Sequence, residues 1–215
     1  MYRYVLFDFD GTVFDTVEGI SKSASYAAGK FGIDAAPETL RCFAGPPLVD
    51  MFMEHFGFSQ EDAELATGYF RERYVPTGLY ECRVFPGIKE LLTVLRAAGL
   101  RVGIATSKPQ TLAEELLAGE GMTGLFEVVC GSDSDGNNNS KAQVLGRAMA
   151  ALGAVKEETV LVGDTKYDVA GAHECGVSCI GVEYGYAAEG ELESAGAEYI
   201  VKDIPGLRSL LLGQT

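Results

Sequence analysis

The chain has no tryptophan and only two histidines, and its 17 lysines and arginines are outnumbered by 31 aspartates and glutamates. Each shortage removes a class of function. His55 and His173 have no second metal-ligating residue at a recognisable spacing, so neither a zinc centre nor a histidine nucleophile is expected. A formal charge of -14 works against a nucleic-acid backbone or an anionic membrane as the main partner, and any bound phosphate must be met by local cations. There is no run of about 18 apolar residues, and Met1 leads straight into a strand pattern without a basic and then apolar leader. A cytoplasmic location is the resulting expectation. Cys42, Cys82, Cys130, Cys175 and Cys179 form no C-x-x-C pair and are expected to be reduced core residues. No period of roughly 20 to 50 residues recurs, which sets repeat architectures aside.

What is present is enough apolar content, 47% over 215 residues, to bury the core of one large domain or two small ones. Beyond residue 85, short aliphatic runs (101–105, 126–130, 159–162, 177–182 and 198–201) alternate with helical stretches, the signature of a parallel α/β sheet. Gly99 and Gly153 stand as helix stops after 88–98 and 141–152. Between the first strand, Tyr4 to Phe7, and Pro86 no strand is expected and several helices are. Val17 to Phe31 places Ile20, Ala24, Ala27 and Phe31 on one face behind Asp15 or Thr16, residues 48–56 form a short helix, and Ser59 to Asp62 resembles a capping box opening a helix toward Tyr74. The expected architecture is a Rossmann-like parallel sheet flanked by helices, residues 1–14 and 85–215, with an inserted all-helical cap domain, residues 15–84. The aromatic stripe Phe52, Phe56, Phe70 and Tyr74 is read as packing of that insert.

The first strand ends in Asp8-Phe9-Asp10-Gly11-Thr12. Two carboxylates two residues apart project from one face of an extended chain, and like charges so placed repel unless a cation lies between them. Two later segments repeat the placement, Thr106-Ser107-Lys108-Pro109 and Gly163-Asp164-Thr165-Lys166-Tyr167-Asp168, each directly after an apolar run. Each has a bland reading of its own: a helix cap for Thr106, a first-turn acid for Asp168, a solvated lysine for Lys141. In a sheet of order 3-2-1-4-5, however, Asp8, Thr106 and Asp164 converge on the crevice where the strand order reverses, and Lys141 can enter it from the side. Asp8, Asp10, Asp164 and Asp168 beside one or two lysines call for a hard divalent cation on oxygen ligands, for which Mg2+ is suited.

In order and spacing, Asp8-Phe-Asp-Gly-Thr, Thr106, Lys141 and Gly163-Asp164-x-x-x-Asp168 resemble the four motifs of the haloacid dehalogenase superfamily of phosphatases. The helical insert is similar to that family's small cap, and Asp15-Thr16 with Thr106 to Pro109 is similar to its phosphoglycolate phosphatase-like branch. The resemblance implies that Asp8 attacks phosphorus to give an aspartyl-phosphate and that Asp10 serves as acid and then base. It further implies Mg2+ on Asp8, the Asp10 carbonyl and Asp164, phosphoryl oxygens held by Thr106, Ser107 and Lys141, and Asp168 orienting Lys141 or lying just outside the metal's ligands. This chain has Ala142 after Lys141 where the family often has proline, and Ser107 where asparagine is common, so Lys108 stays open as the alternative phosphate-binding lysine. The implied function is a Mg2+-dependent phosphatase of small phosphorylated metabolites such as 2-phosphoglycolate, nucleoside 5′-monophosphates or pyrophosphate, acting as a monomer or weak homodimer. A phosphosugar mutase and a phosphoacceptor signalling domain are the alternatives.

Overall fold

The computed structural model describes residues 2–133 and 140–213. Residues 134–139, most of the polar loop before Lys141, lie outside the described residues. In chain order the elements are β1 (Tyr4–Phe7), β2 (Phe14–Asp15), α1 (Val17–Lys30), α2 (Leu48–Phe56), α3 (Gln60–Tyr74), β3 (Arg83–Val84), α4 (Ile88–Ala97), β4 (Arg101–Pro109), α5 (Gln110–Gly119), β5 (Val128–Ser132), α6 (Lys141–Leu152), β6 (Thr159–Gly163), α7 (Lys166–Cys175), β7 (Ser178–Val182), α8 (Glu191–Ala195), β8 (Tyr199–Val201) and α9 (Ile204–Leu211). They fall into two compact units, one of Met1–Phe14 with Val84–Thr215 and one of Asp15–Arg83.

The larger unit is built on a six-stranded sheet of order β5-β4-β1-β6-β7-β8 with every pairing parallel. This is a Rossmann-like sheet whose order reverses at β1, which lies between β4 and β6. Strand β1 is an unbroken apolar run, Tyr-Val-Leu-Phe, because it is covered on both faces. On one side Leu6 and Leu161 pack with Leu145, Ala148, Val169 and Ala172 of α6 and α7. Burying such a side chain stabilises by roughly 1.5–3 kcal/mol, so the register is firmly specified. That register sets Phe7 opposite Ile104 of β4 and Val162 of β6, so the next residues on all three strands reach the same edge. Helix α6 closes at Gly153, in the left-handed region at φ 60° where a side chain would strain, as its sequence foretells.

The smaller unit holds α1, α2 and α3 with a 3-10 turn, Pro37–Phe43, between α1 and α2. Helix α1 buries Ile20, Ala24 and Ala27, while Phe31 stands just beyond it, half-buried against Phe58. Ser59 caps α3, its hydroxyl oxygen accepting the Asp62 backbone N–H at 3.1 Å. Phe52, Phe70 and Tyr74 are buried, and Phe52 packs on Phe43 at 5.0 Å, whereas Phe56 is only half-buried.

Three expectations need correction. The expected strand 101–105 continues to Pro109, with its register against β5 shifting between Ala105 and Pro109, so Thr106 lies in extended chain and the residue that caps α5 is Pro109. Two short strands, β2 and β3, pair where none was expected, because two-residue strands carry no periodicity to read. All five cysteines are free, but only Cys179 is buried; Cys42 is exposed and the others are intermediate, since a few apolar neighbours in sequence do not establish burial in space.

Candidate active site

Strand β1 delivers Asp8, whose backbone N–H donates to the Val162 carbonyl at 2.8 Å and so extends the ladder one step past the strand. Asp8 and Asp164 are 6% and 0% exposed. Helix α6 begins at Lys141 behind a capping box made by Ser140 and Gln143, which projects the lysine into the edge of the sheet. Lys141 Nζ lies 2.6 Å from Asp8 Oδ1 and 2.9 Å from Asp168 Oδ1, and it donates to the Ala105 carbonyl at 3.3 Å. Its three donors are thus all directed. Asp168 is held from its other side, Oδ2 accepting the Thr165 N–H at 3.0 Å and the Thr165 hydroxyl at 2.9 Å in the capping box of α7. Asp164 accepts from the Thr12 hydroxyl at 3.2 Å and from the Tyr186 N–H at 2.8 Å.

One carboxylate oxygen from each of Asp8, Asp164 and Asp168 falls within 4.8 Å of the other two. Among the described residues, the ammonium paired with this cluster is that of Lys141. Burial pushes the Asp8 carboxyl up to about 6, helped by Asp168 and Asp10 and opposed by Lys141. Burial likewise raises Asp164 well above the carboxylate range, with Asp168 and Asp8 adding to it. For Lys141 burial acts to lower the value, but Asp168 and Asp8 more than offset it and the group is raised. An all-oxygen donor set with a deficit of positive charge fits a hard divalent cation such as Mg2+, and it does not fit zinc or a soft metal. His55 and His173 are both exposed; His173 lies 3.0 Å from Glu198 and His55 packs on Phe56.

Asp10 does not share this cluster. Its Oδ1 lies 3.1 Å from Lys108 Nζ, and the lysine side chain is 3% exposed. Lys108 reaches inward because β4 continues: on an extended chain Thr106 and Lys108 share a face, and the Lys108 N–H donates to Thr106 Oγ1 at 3.2 Å. Ser107 consequently faces the other way, half-exposed, and is not brought to the cluster. Of the two open lysines, Lys141 therefore stands beside Asp8 and Asp168 and Lys108 beside Asp10. In the smaller unit, Lys22 pairs with Glu18 and Glu81 at 2.6 and 3.1 Å, and Arg41 lines a cavity with Asp15, Glu18, Tyr80, Glu81 and Arg83. Sequence reading missed Thr12 as a partner of Asp164, and it missed the Tyr184–Tyr186 segment, whose residue types carry no local signal of a site.

The family model described as haloacid dehalogenase-like hydrolase matches residues 5–182. The chain is 39% identical over 212 residues to a 5′-nucleotidase of Pseudomonas aeruginosa, covering 98% of this chain and 96% of that one. It is also 37% identical over 185 residues to tyrosine-protein kinase PtkA of Mycobacterium tuberculosis, covering 86% of this chain and 63% of that protein's own length. Among solved structures, a predicted phosphatase from Clostridium acetobutylicum superposes with a TM-score of 0.95 at 38% identity over 99% of both chains. With the motif carboxylates gathered at the reversal point of the sheet, the chain belongs to the haloacid dehalogenase-like hydrolases, as a phosphatase of that family.

Proposed function

We propose that this phosphatase hydrolyses small phosphate monoesters in a Mg2+-dependent reaction through an aspartyl-phosphate on Asp8. The observation that carries the reading is the buried set Asp8, Lys141, Asp168 and Asp164, in which a strand-end carboxylate sits 2.6 Å from an ammonium. In the first step an Asp8 oxygen forms a bond to phosphorus while the ester bond breaks, and Asp10 gives its proton to the departing alkoxide. In the second step water attacks the same phosphorus, Asp10 takes the water's proton, and inorganic phosphate leaves as the Asp8 carboxylate is restored. Lys141 and the Thr106 hydroxyl hold phosphoryl oxygens, Asp168 orients Lys141, and Lys108 steadies Asp10. Bound Mg2+, held by Asp8, the Asp10 carbonyl and Asp164, supplies charge neutralisation at the phosphoryl group. A carboxylate about 4 Å from a phosphate dianion is repelled by roughly 8 kcal/mol at an effective dielectric near 20, so positive charge is indispensable for the attack. The unit Asp15–Arg83 acts in this reading as a cap that excludes water.

The name of the Pseudomonas relative supports nucleoside 5′-monophosphates as substrate, and the branch resemblance supports 2-phosphoglycolate. The deciding experiment measures inorganic phosphate release from a panel of nucleotides, phosphoglycolate, sugar phosphates and pyrophosphate, with Mg2+ or with a chelator. Metal-dependent release from one class establishes the reading; a folded, Mg2+-loaded protein that releases none refutes it. A second reading, favoured by the mycobacterial relative's name, passes the phosphoryl group to a tyrosine hydroxyl in place of water. It requires phosphate from ATP to appear on protein and not in solution.

A further inference from the structure

The Asp164 carboxylate, which gathers with those of Asp8 and Asp168, is held by a segment outside the four motifs. A Cβ built on Gly185 would lie 2.3 Å from Asp164 Cβ and 2.4 Å from Oδ2, so only glycine lets this chain pass so close. On the other side Gly11, at φ 78°, leaves room that a Cβ would fill at 2.0 Å from the same Oδ2. Between these two backbones, Oδ2 accepts the Tyr186 N–H at 2.8 Å and Oδ1 accepts the Thr12 hydroxyl at 3.2 Å. Tyr184 closes the arrangement, its phenol donating to the Thr12 carbonyl at 3.0 Å while its ring meets the edge of Phe85 at 5.0 Å. Each carboxylate oxygen is thereby fixed by one bond and keeps further acceptor capacity.

From this geometry we infer that Tyr184, Gly185 and Tyr186, the segment following β7, are positioning residues for the cation site, locking the Asp164 side chain where its oxygen lies with those of Asp8 and Asp168. Tyr184 donates to the Thr12 carbonyl and works through Thr12. The Tyr186 N–H works directly, holding Oδ2 by a 2.8 Å hydrogen bond. The inference rests on the Mg2+-dependent reading given above.

The test is calorimetric titration of Mg2+ into the metal-free full chain, for wild type, Tyr184→Phe and Gly185→Ala, with thermal unfolding recorded alongside. Loss of groups that orient a metal ligand weakens metal affinity roughly 10- to 100-fold. Tyr184→Phe is expected near the lower limit and Gly185→Ala near the upper. In Tyr184→Phe, phosphate release should return to wild-type kcat at saturating Mg2+ with the ester's KM unchanged. A Tyr184→Phe protein that binds Mg2+ as tightly as wild type overturns the inference, whatever its melting temperature, and it decides alone if Gly185→Ala does not fold. Wild type that binds no Mg2+ overturns the metal-dependent reading, and this inference falls with it.

Discussion

Lys108 and Asp10 form their own ion pair, with Nζ 3.1 Å from Oδ1, apart from the one Lys141 makes with Asp8. Asp8 and Asp10 thus pair with different lysines, Lys141 being shared with Asp168, and the two lysines are not interchangeable. Lys141 lies between two nearly fully buried acids, whereas the Asp10 side chain is 14% exposed and more accessible to water.

Removing each lysine should separate these situations. Breaking a buried ion pair by deleting one partner costs about 3–5 kcal/mol, so Lys141→Ala in the metal-free protein should lose stability on that order. Lys108→Ala should lose distinctly less. Urea denaturation at neutral pH reads both, and an equal or larger loss for Lys108→Ala would contradict the division.

Asp8 should trade stability for chemistry. Its carboxyl is held at about 6 in the folded protein, above the roughly 3.9 of a free aspartate. The folded state therefore binds more protons than the unfolded chain between these values. The stability Asp8 contributes is full below about pH 4 and is lost as pH rises through 6, to the extent of about 3 kcal/mol. Metal-free Asp8→Asn should consequently grow more stable relative to wild type across that window, while losing turnover and the acid-stable phosphoenzyme. Parallel pH-stability curves for the two proteins, or near-native activity in the variant, would count against the assignment.

If Asp10 is the proton donor, its value depends on how basic the leaving group is. Asp10→Ala should slow alkyl phosphates by about 10²- to 10⁴-fold and aryl phosphates much less. The ratio of kcat/KM for the two ester types measures this directly; equal losses remove the role.

Cation binding should stabilise the fold by mass action. At a Mg2+ concentration 100 times its dissociation constant the gain is about 2.7 kcal/mol. It should shrink toward pH 5, where the raised carboxyls of Asp8 and Asp164 hold protons that Mg2+ must displace. Thermal unfolding with Mg2+ or chelator at two pH values checks both statements.

Much of this is legible in the sequence. The parallel sheet and the meeting of Asp8, Lys141 and Asp164 at one edge of it accord with hydrophobic runs that end at the same kind of polar residue. Ser107 and Lys108 were not separable, because a helix cap and a continuing strand project them differently and Thr-Ser-Lys-Pro suits both. Asp168 was legible as a partner of Lys141, while the closeness of its oxygen to those of Asp8 and Asp164 depends on the bend into α7. Tyr184 to Tyr186 were invisible because what they contribute is a backbone N–H, a missing side chain and a distant hydroxyl. Such contributions have no local pattern.

The start of α6 has a consequence for how this protein can be improved. Lys141 rests its hydrocarbon stem on Gly171 of α7, where an added Cβ would come within 2.5 Å of Lys141 Cγ. Glycine inside a helix ordinarily invites replacement by alanine, a gain of about 1 kcal/mol. Gly68 in α3 and Gly146 in α6 face open space and can accept that change. Gly171 cannot, since the same methyl group would displace the lysine from both aspartates. Thermostabilised descendants of this chain should therefore accumulate alanines at the first two positions and keep a gap at the third.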